Sequence, residues 1–257
     1  MKAAIVIPAR YASTRLPGKP LLARTGKPLI QHVYENALNV KSASSVTVAT
    51  DDKRIFDAVT AFGGSVVMTS SAHETGSARI AEAAEKIDAD IIVNLQGDEP
   101  EIEPGHIGRL IKLQAKTEAF ASTLACPFPA DAKSGPGSPE DPSAVKAILG
   151  ARIADDARWA RYFTRHQAVW PRDEDGAISK PGDYYLHIGV YAFSKASLME
   201  FAAAPAGALE KIERLEQLRI LERGGQIAVG LIPHAAPGID TPEDYEAFVG
   251  RMGKGAA

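Results

Sequence analysis

The sequence has little of several features that mark specialised classes of protein. Cysteine occurs once in 257 residues, so an internal disulfide framework is excluded and a reducing compartment is indicated. The formal net charge is only −3, which creates no overall field that would gather nucleic acid or an anionic membrane surface. The apolar run at the N-terminus ends at Pro8, which is too short for a signal peptide or a membrane span. We therefore expect a cytoplasmic protein that binds neither nucleic acid nor membrane.

The sequence does contain an alternation of short apolar strands and helical patterns. The pattern predicts strands at Ala3–Ile7, Val46–Ala49, Ser65–Met68, Ile91–Leu95 and Ala119–Ala125, and helices at Pro28–Val40, Asp52–Phe62, Gly76–Ile87 and Pro104–Lys116. This alternation is typical of βαβ units, so we predict an α/β fold with a mostly parallel sheet that is covered on both faces.

The second half of the chain is less regular. It predicts strands at Leu186–Phe193 and Ile227–Ile232, and helices at Leu209–Glu222 and Thr241–Met252. Residues 130–142 are rich in proline and glycine and predict an exposed loop. Because no repeat or linker divides the chain, we predict one catalytic domain over residues 1–257, with an irregular region around 120–200.

The first segment with chemical potential is the loop that follows the first strand. It carries Arg10, Arg15 and Lys19 together with two small hydroxyl side chains and a glycine. Ligands bind at the carboxyl ends of strands in open α/β sheets, and cations with backbone N–H groups hold phosphate oxygens there. The spacing is neither that of a Walker A loop nor that of a dinucleotide-binding loop. A solvated basic loop is the alternative, and the position of the loop with the other motifs favours phosphate binding.

Two acidic segments also follow apolar strands, one around Asp98 and one around Asp240. Each has a plain alternative, because Gly-Asp is common turn chemistry and Asp240 could simply cap the next helix. If both strands are parallel, the two carboxylates lie at the same edge of the sheet, where they repel each other without a metal. Mg²⁺ prefers such oxygen ligands and leaves room for phosphate oxygens and water. We expect the two aspartates to share one Mg²⁺.

A fourth segment, His73–Arg79, joins a strand to a helix. Small residues at the helix start leave backbone N–H groups available for an anion or the edge of a base. For His73 itself, a surface position is the better expectation than a role as a catalytic base.

Together these segments resemble the CMP-KDO synthetase (3-deoxy-manno-octulosonate cytidylyltransferase) family. The family opening is similar to Ile7–Pro20 almost letter for letter. Further matches occur, in the order of the family, at Val48–Asp51, Val93–Pro100, His187–Tyr191, Leu215–Arg219 and Asp240–Asp244. The resemblance therefore covers nearly the whole chain.

This resemblance implies a Rossmann-like three-layer nucleotidyltransferase fold and a specific reaction. The family transfers CMP from CTP to the anomeric hydroxyl of 3-deoxy-D-manno-octulosonate (KDO), forming CMP-KDO and pyrophosphate for lipopolysaccharide biosynthesis. It also implies Mg²⁺ as the cofactor, and a homodimer to which the region around residues 120–200 contributes much of the contact.

The resemblance also implies roles for individual residues. The catalytic set is Arg10, Arg15, Lys19, Asp98 and Asp240, and the two aspartates are the metal ligands. The nucleotide site is formed by Ala9, Arg10, Arg15, Lys19, Thr50, Asp51, Ala72, Gly76 and Ser77. The sugar-acid site is lined by Arg79, Gln96, His187, Glu216 and Gln217. Among these, Arg79 is the natural partner of the sugar carboxylate.

Departures from the family pattern keep alternatives open. The family usually has Glu where this chain has Ala78, and Asn-Pro-Asn where it has residues 141–143, Asp-Pro-Ser. These changes touch the sugar side, so a related sugar acid such as 8-amino-KDO or a nonulosonate is an alternative substrate. Two further alternatives are a non-catalytic nucleotide-binding protein and a preference for another base. The presence of both Asp98 and Asp240 gives no reason to expect that catalysis was lost.

Overall fold

The computed structural model describes residues 1–12, 16–73 and 75–254, so the predicted phosphate ligand Arg15 lies outside the described residues. The strands are β1 (Ala3–Ala9), β2 (Ser45–Thr50), β3 (Val66–Met68), β4 (Ile91–Asn94), β5 (Ala121–Pro127), β6 (Lys146–Ala154), β7 (Ala157–Thr164), β8 (Tyr185–Ser194) and β9 (Ile227–Leu231). The helices are α1 (Leu29–Ala37), α2 (Lys53–Ala61), α3 (Gly76–Glu85), α4 (Pro104–Lys116), α5 (Lys195–Ala203), α6 (Ala208–Glu213), α7 (Leu218–Glu222) and α8 (Pro242–Lys254).

The chain forms two compact units. The first comprises the described residues of Met1–Ile111, Ser194–Ala203 and Ala236–Ala257, and the second comprises Lys112–Phe193 and Ala204–Ala235. The expectation of a single catalytic domain stays a prediction.

The first unit contains a parallel sheet in the order β3-β2-β1-β4. Each of β1, β2 and β3 is followed by a helix, and β1 is apolar and buried over nearly its whole length, as a parallel strand covered on both faces must be. The α/β class and the parallel arrangement are thus confirmed. All four strands end at one edge, which is where the acidic segment after β4 begins.

An apolar cluster secures helix α8 and the residues before it. The buried members are Leu16, Leu29, Ile239, Tyr245 and Phe248. They join α1 and α8 to the end of the phosphate loop, which is the segment from Arg10 to Lys19. Because Ile239 is fully buried, the adjacent Asp240 is held at a defined place rather than on a loose loop.

The second unit contains a mixed sheet in the order β8-β5-β9-β7-β6. Strand β5 pairs antiparallel with β8 and parallel with β9, whereas β6 and β7 form an antiparallel pair. The sequence pattern did not predict β6, β7 or α5. The prediction of one helix over Leu209–Glu222 is wrong, because Arg214 adopts a left-handed conformation with φ 53° and ends α6 before α7 begins.

Residues 130–142 contain no helix or strand, which confirms the loop predicted there. Asp141 organises its end, since the carboxylate accepts hydrogen bonds from the backbone N–H groups of Gly137 and Ser143, both at 2.7 Å. Within the part of the chain that the structure describes, no helix is long and apolar enough to cross a membrane.

Candidate active site

The phosphate loop begins where β1 ends and returns to the sheet edge at Lys19. The N–H of Gly18 donates to the carbonyl of Tyr11 at 3.2 Å, which closes the loop at its base. Gly18 has φ 67°, and a Cβ there would lie 3.2 Å from the Tyr11 hydroxyl, so both conformation and space require glycine. The closed loop carries a half-buried Arg10 at its start and a Lys19 side chain at its end.

Lys19 lies between the two predicted metal ligands. Its ammonium donates to Oδ2 of Asp98 at 2.8 Å and to Oδ1 of Asp240 at 3.3 Å. It also donates to the carbonyl oxygen of Ile239 at 2.8 Å. The two aspartates therefore converge, as the sequence led us to expect, and their mutual repulsion is offset by a cation from the chain itself.

Backbone contacts bring the two acidic segments together. The N–H of Ile239 donates to the carbonyl of Asp98 at 2.9 Å, which joins the segments directly. Gly97 permits the turn after β4, because a Cβ there would lie 3.1 Å from the backbone oxygen of Pro8. The end of β1, the turn after β4 and the segment before α8 therefore meet at one point.

Asp240 is not the cap of α8. The hydroxyl of Thr241 accepts from the N–H of Asp244 at 3.2 Å, and the Asp244 carboxylate accepts from the N–H groups of Thr241 at 2.8 Å and Asp240 at 3.0 Å. This reciprocal pattern is a capping arrangement with Thr241 as N-cap. The plain alternative for Asp240 is thereby removed.

A third acidic side chain, Glu99, stands beside this pair and is mostly protonated at neutral pH. Its pKa is raised to about 8, mainly by burial and then by the charges of Asp98 and Asp240, while Lys19 lowers it. No role was predicted for Glu99 from the sequence, although it stands next to Asp98 in the same motif. The charges of Asp98 and Asp240 therefore favour a proton on Glu99, as they favour a cation between the two aspartates.

The oxygen ligands present fit a magnesium ion. Two carboxylates and the carbonyl of Ile239 surround one point, and the Lys19 ammonium found there shows that this point accommodates a cation. The described residues contain no group of three or more His, Cys, Asp and Glu side chains arranged to hold a metal. Mg²⁺ does not need such a group, because one or two carboxylates with substrate phosphates and water complete its shell.

The residues predicted to surround the nucleotide lie near the same edge. Thr50 ends β2 and is fully buried, Ala72 is exposed, and Gly76 begins α3. A Cβ on Gly76 would lie 3.6 Å from the ring of Pro8, so the start of α3 is close to the end of β1. Ser77 is buried in the first turn of α3. Their nucleotide contacts stay predictions.

Arg79, predicted to bind the sugar carboxylate, already has partners inside the fold. Its side chain is fully buried and donates to Oδ2 of Asp51 at 2.8 Å and to Oγ1 of Thr69 at 2.6 Å. Asp51 already supplies the countercharge that a buried guanidinium needs, so the geometry favours a structural link between β2, β3 and α3. Of the other sugar-site residues in this unit, Gln96 is half-buried and donates to Asn94 at 3.3 Å.

His187 lies in a cluster of the second unit. Its Nε2 is 2.9 Å from the hydroxyl of Tyr191 and 3.1 Å from Oγ1 of Thr123, and its ring packs edge-on against Phe163. Burial lowers the pKa of His187 to about 3, so the ring is neutral at physiological pH. Burial, followed by the charge of Glu216, raises the pKa of Tyr191.

A buried ion pair fixes the turn that carries Glu216 and Gln217. Arg219 donates to both carboxylate oxygens of Glu210 at 2.7 and 2.5 Å, and these hydrogen bonds raise the pKa of Arg219. It also donates to the carbonyl of Ala204 at 2.9 Å. Glu216 is close enough to Tyr191, the partner of His187, for its charge to raise the pKa of that tyrosine. Thr123, Tyr191 and Arg219 were not predicted, although the last two stand in recognised motifs.

Comparison with known proteins identifies relatives over nearly the full length. Residues 4–227 match the cytidylyltransferase family. A 3-deoxy-manno-octulosonate cytidylyltransferase from Escherichia coli is 42% identical over 245 residues, covering 95% of this chain and 94% of the relative. An 8-amino-3,8-dideoxy-manno-octulosonate cytidylyltransferase from Shewanella sediminis is 41% identical, covering 98% of this chain and 99% of the relative.

A solved structure is similar to the chain along its whole length. It is that of CMP:2-keto-3-deoxy-manno-octonic acid synthetase complexed with CTP, with a TM-score of 0.87 and 40% sequence identity. The match covers 99% of this chain and 100% of the solved one.

Proposed function

We propose that this chain, which belongs to the CMP-KDO synthetase (3-deoxy-manno-octulosonate cytidylyltransferase) family of cytidylyltransferases, transfers CMP from CTP to the anomeric hydroxyl of KDO and releases pyrophosphate. The observation that carries the proposal is the cluster in which Asp98, Lys19 and Asp240 meet at the carboxyl edge of the parallel sheet. The KDO-named relative and the CTP-bound solved structure support the choice of both substrates.

The reaction needs positioning and charge neutralisation more than covalent chemistry. The sugar hydroxyl attacks the α-phosphorus of CTP in line, the bond from this phosphorus to the bridging oxygen breaks, and pyrophosphate carries away the electron pair. Arg10 and Lys19 lie on the loop that ends at the sheet edge, where they would neutralise the triphosphate together with Arg15. The backbone N–H groups at the start of α3 would hold the nucleotide.

Asp98 and Asp240 would hold Mg²⁺ in this reaction. When bound, the ion supplies charge neutralisation at the phosphates and lowers the pKa of the attacking hydroxyl. With both aspartates engaged, the ammonium of Lys19 would be available to neutralise phosphate oxygens of the leaving pyrophosphate.

The closest alternative substrate is 8-amino-KDO. The relative from Shewanella sediminis bears that name and is almost as similar as the KDO-named relative, at 41% against 42% identity. KDO is favoured because the solved structure that matches along the whole chain also acts, by its name, on the unsubstituted sugar acid.

We also propose that the enzyme is a homodimer that works in the cytoplasm and serves lipopolysaccharide biosynthesis. The region around residues 120–200 supports the dimer, because it exposes Val169 to 53% and Trp170 to 62%. Two adjacent exposed apolar side chains are surface that an interface would remove from water. Sedimentation of the purified protein tests this, and a monomer at micromolar concentration would contradict it.

The reaction is tested by pyrophosphate release from CTP with Mg²⁺, with and without KDO. We expect release that requires KDO and that UTP, ATP and GTP do not support at comparable rates. Asp98→Asn is the matched control, since it keeps the size of the side chain and removes its charge. Pyrophosphate release that does not depend on KDO, or release from UTP at the same rate as from CTP, would contradict the proposal.

A further inference from the structure

A bulge in β8 brings His187 and Tyr191 together. In the pairing with β5, Ala125 faces His187 and Thr123 faces Tyr191, so two steps along β5 match four steps along β8. In a regular strand, residues four apart are separated by about 13 Å. Here Nε2 of His187 and the hydroxyl of Tyr191 are 2.9 Å apart. Bulges re-aim side chains in this way beside functional sites.

Thr123 holds this bulge from the facing strand. It is fully buried, and its hydroxyl lies 2.8 Å from the carbonyl oxygen of Val190 and 3.0 Å from that of Ile188. The same hydroxyl oxygen lies 3.1 Å from Nε2 of His187. One side-chain atom therefore contacts two backbone acceptors of the bulge and one ring nitrogen.

The hydrogen bonds available to Thr123 indicate which nitrogen of the His187 ring carries the proton. A threonine hydroxyl has one proton, and the two carbonyls can only accept. The carbonyl of Val190, at 2.8 Å, is nearer than Nε2 of His187, at 3.1 Å, so we assign the proton of Thr123 to that carbonyl, and the Thr123 oxygen then meets Nε2 as an acceptor. If Nε2 were unprotonated, two lone pairs would face each other at 3.1 Å in a buried site.

We propose that Thr123 is a positioning residue that fixes His187 in the tautomer with the proton on Nε2, so that Nδ1 presents a lone pair to the sugar acid. The Nε2 proton is shared with the hydroxyl oxygen of Tyr191, whose own proton is then available to another acceptor. Among the described residues, Nδ1 of His187 has no hydrogen-bond partner.

This assignment limits what His187 recognises. An unprotonated Nδ1 accepts hydrogen bonds, so it binds a hydroxyl or ammonium group and not a carboxylate. His187 would therefore contact a hydroxyl of the sugar acid, and the carboxylate must be held elsewhere. The identity of the ligand rests on the proposed function, whereas the tautomer is a property of the protein alone.

The tautomer is tested by the ¹⁵N chemical shifts of the histidine rings in the protein without substrates, with His187→Gln used for assignment among the six histidines. We expect the Nε2-protonated tautomer in the wild type, in Thr123→Ser and in Tyr191→Phe. We expect Thr123→Val to lose it at least in part, because the acceptor is removed while the shape is kept. Nδ1 protonation in the wild type, or a switch caused by Tyr191→Phe but not by Thr123→Val, would overturn the assignment.

Kinetics supply the second readout. The KM for KDO should rise roughly tenfold in Thr123→Val, which corresponds to the loss of about one hydrogen bond, while the KM for CTP changes little. In Thr123→Ser the KM for KDO should stay close to the wild-type value, because serine keeps the hydroxyl. If Thr123 only filled space, the smaller serine would not preserve the KM better than valine. If the wild type does not use KDO, the proposed function fails while the tautomer result stands. Equal effects on both substrates would contradict a role of Thr123 in positioning the sugar.

Discussion

Replacing Lys19 by methionine should make the protein without nucleotide bind divalent metal more tightly, although activity is lost. In the wild type the ammonium lies among the oxygens of Asp98, Asp240 and Ile239, where a metal ion would have to displace it. Methionine fills a similar volume without a charge. The variant therefore separates the contribution of Lys19 to the cluster of acids from its contribution to phosphate binding.

The magnitude follows from the contacts. A pair of unit charges about 3 Å apart is worth about 5 kcal/mol at an effective dielectric constant of about 20. Solvent reduces this here, since the side chains of Asp98 and Asp240 are 31% and 48% exposed, although that of Lys19 is only 14% exposed. We therefore estimate about 2 kcal/mol for displacing the ammonium, which is roughly 30-fold in Kd. The same loss should lower the Tm of the metal-free variant by about 4–8 °C.

The assay is binding of Mn²⁺, as a paramagnetic substitute for Mg²⁺, to nucleotide-free protein by electron paramagnetic resonance. Lys27→Met is the matched control, because Lys27 pairs with Glu35 at 2.8 Å on the exposed surface of the same unit. We expect roughly 30-fold tighter binding in Lys19→Met and no change in Lys27→Met. Unchanged or weaker binding in Lys19→Met would refute the idea that the ammonium and the metal compete for one place.

Three further changes follow from the site. Asp98→Asn and Asp240→Asn should each abolish most of the pyrophosphate release, and the double variant should be little worse, whereas multiplying losses would contradict a shared site. Arg79→Lys should lower stability by about 1–3 kcal/mol in thermal unfolding, because lysine replaces only part of the hydrogen bonding to Asp51, and a higher KM for KDO at unchanged Tm would restore the sugar role. Gly97→Ala should cost about 1–3 kcal/mol by crowding a backbone oxygen 3.1 Å away, which an unchanged Tm would disprove.

The sequence predicted those parts of the molecule in which local pattern and position agree. The apolar run of β1 and the one of β4 required a buried parallel strand, and parallel strands end at one edge. The place of Asp98 at that edge was therefore predictable from topology. The approach of Asp240 did not follow from the same argument, because the strand before it, β9, ends at Leu231 and belongs to the second unit.

Side-chain partnerships across long separations were not predictable. The sequence led us to expect metal-free repulsion between the two aspartates, but nothing in it showed that Lys19 lies between them and neutralises them. The resemblance to the family implied a sugar-site role for Arg79, but nothing in the sequence showed that Asp51 pairs with it inside the fold. The bulge in β8 could not be predicted from the sequence either, because it depends on pairing with Thr123 on another strand.

The central claim, transfer of CMP to KDO, is tested most directly by supplying CTP and Mg²⁺ with KDO and 8-amino-KDO in parallel. The product is identified by mass, and kcat/KM is measured for each sugar acid. The account predicts CMP-KDO as the product and a higher kcat/KM for KDO. A higher value for 8-amino-KDO, or no nucleotide-sugar product from either substrate, would contradict it.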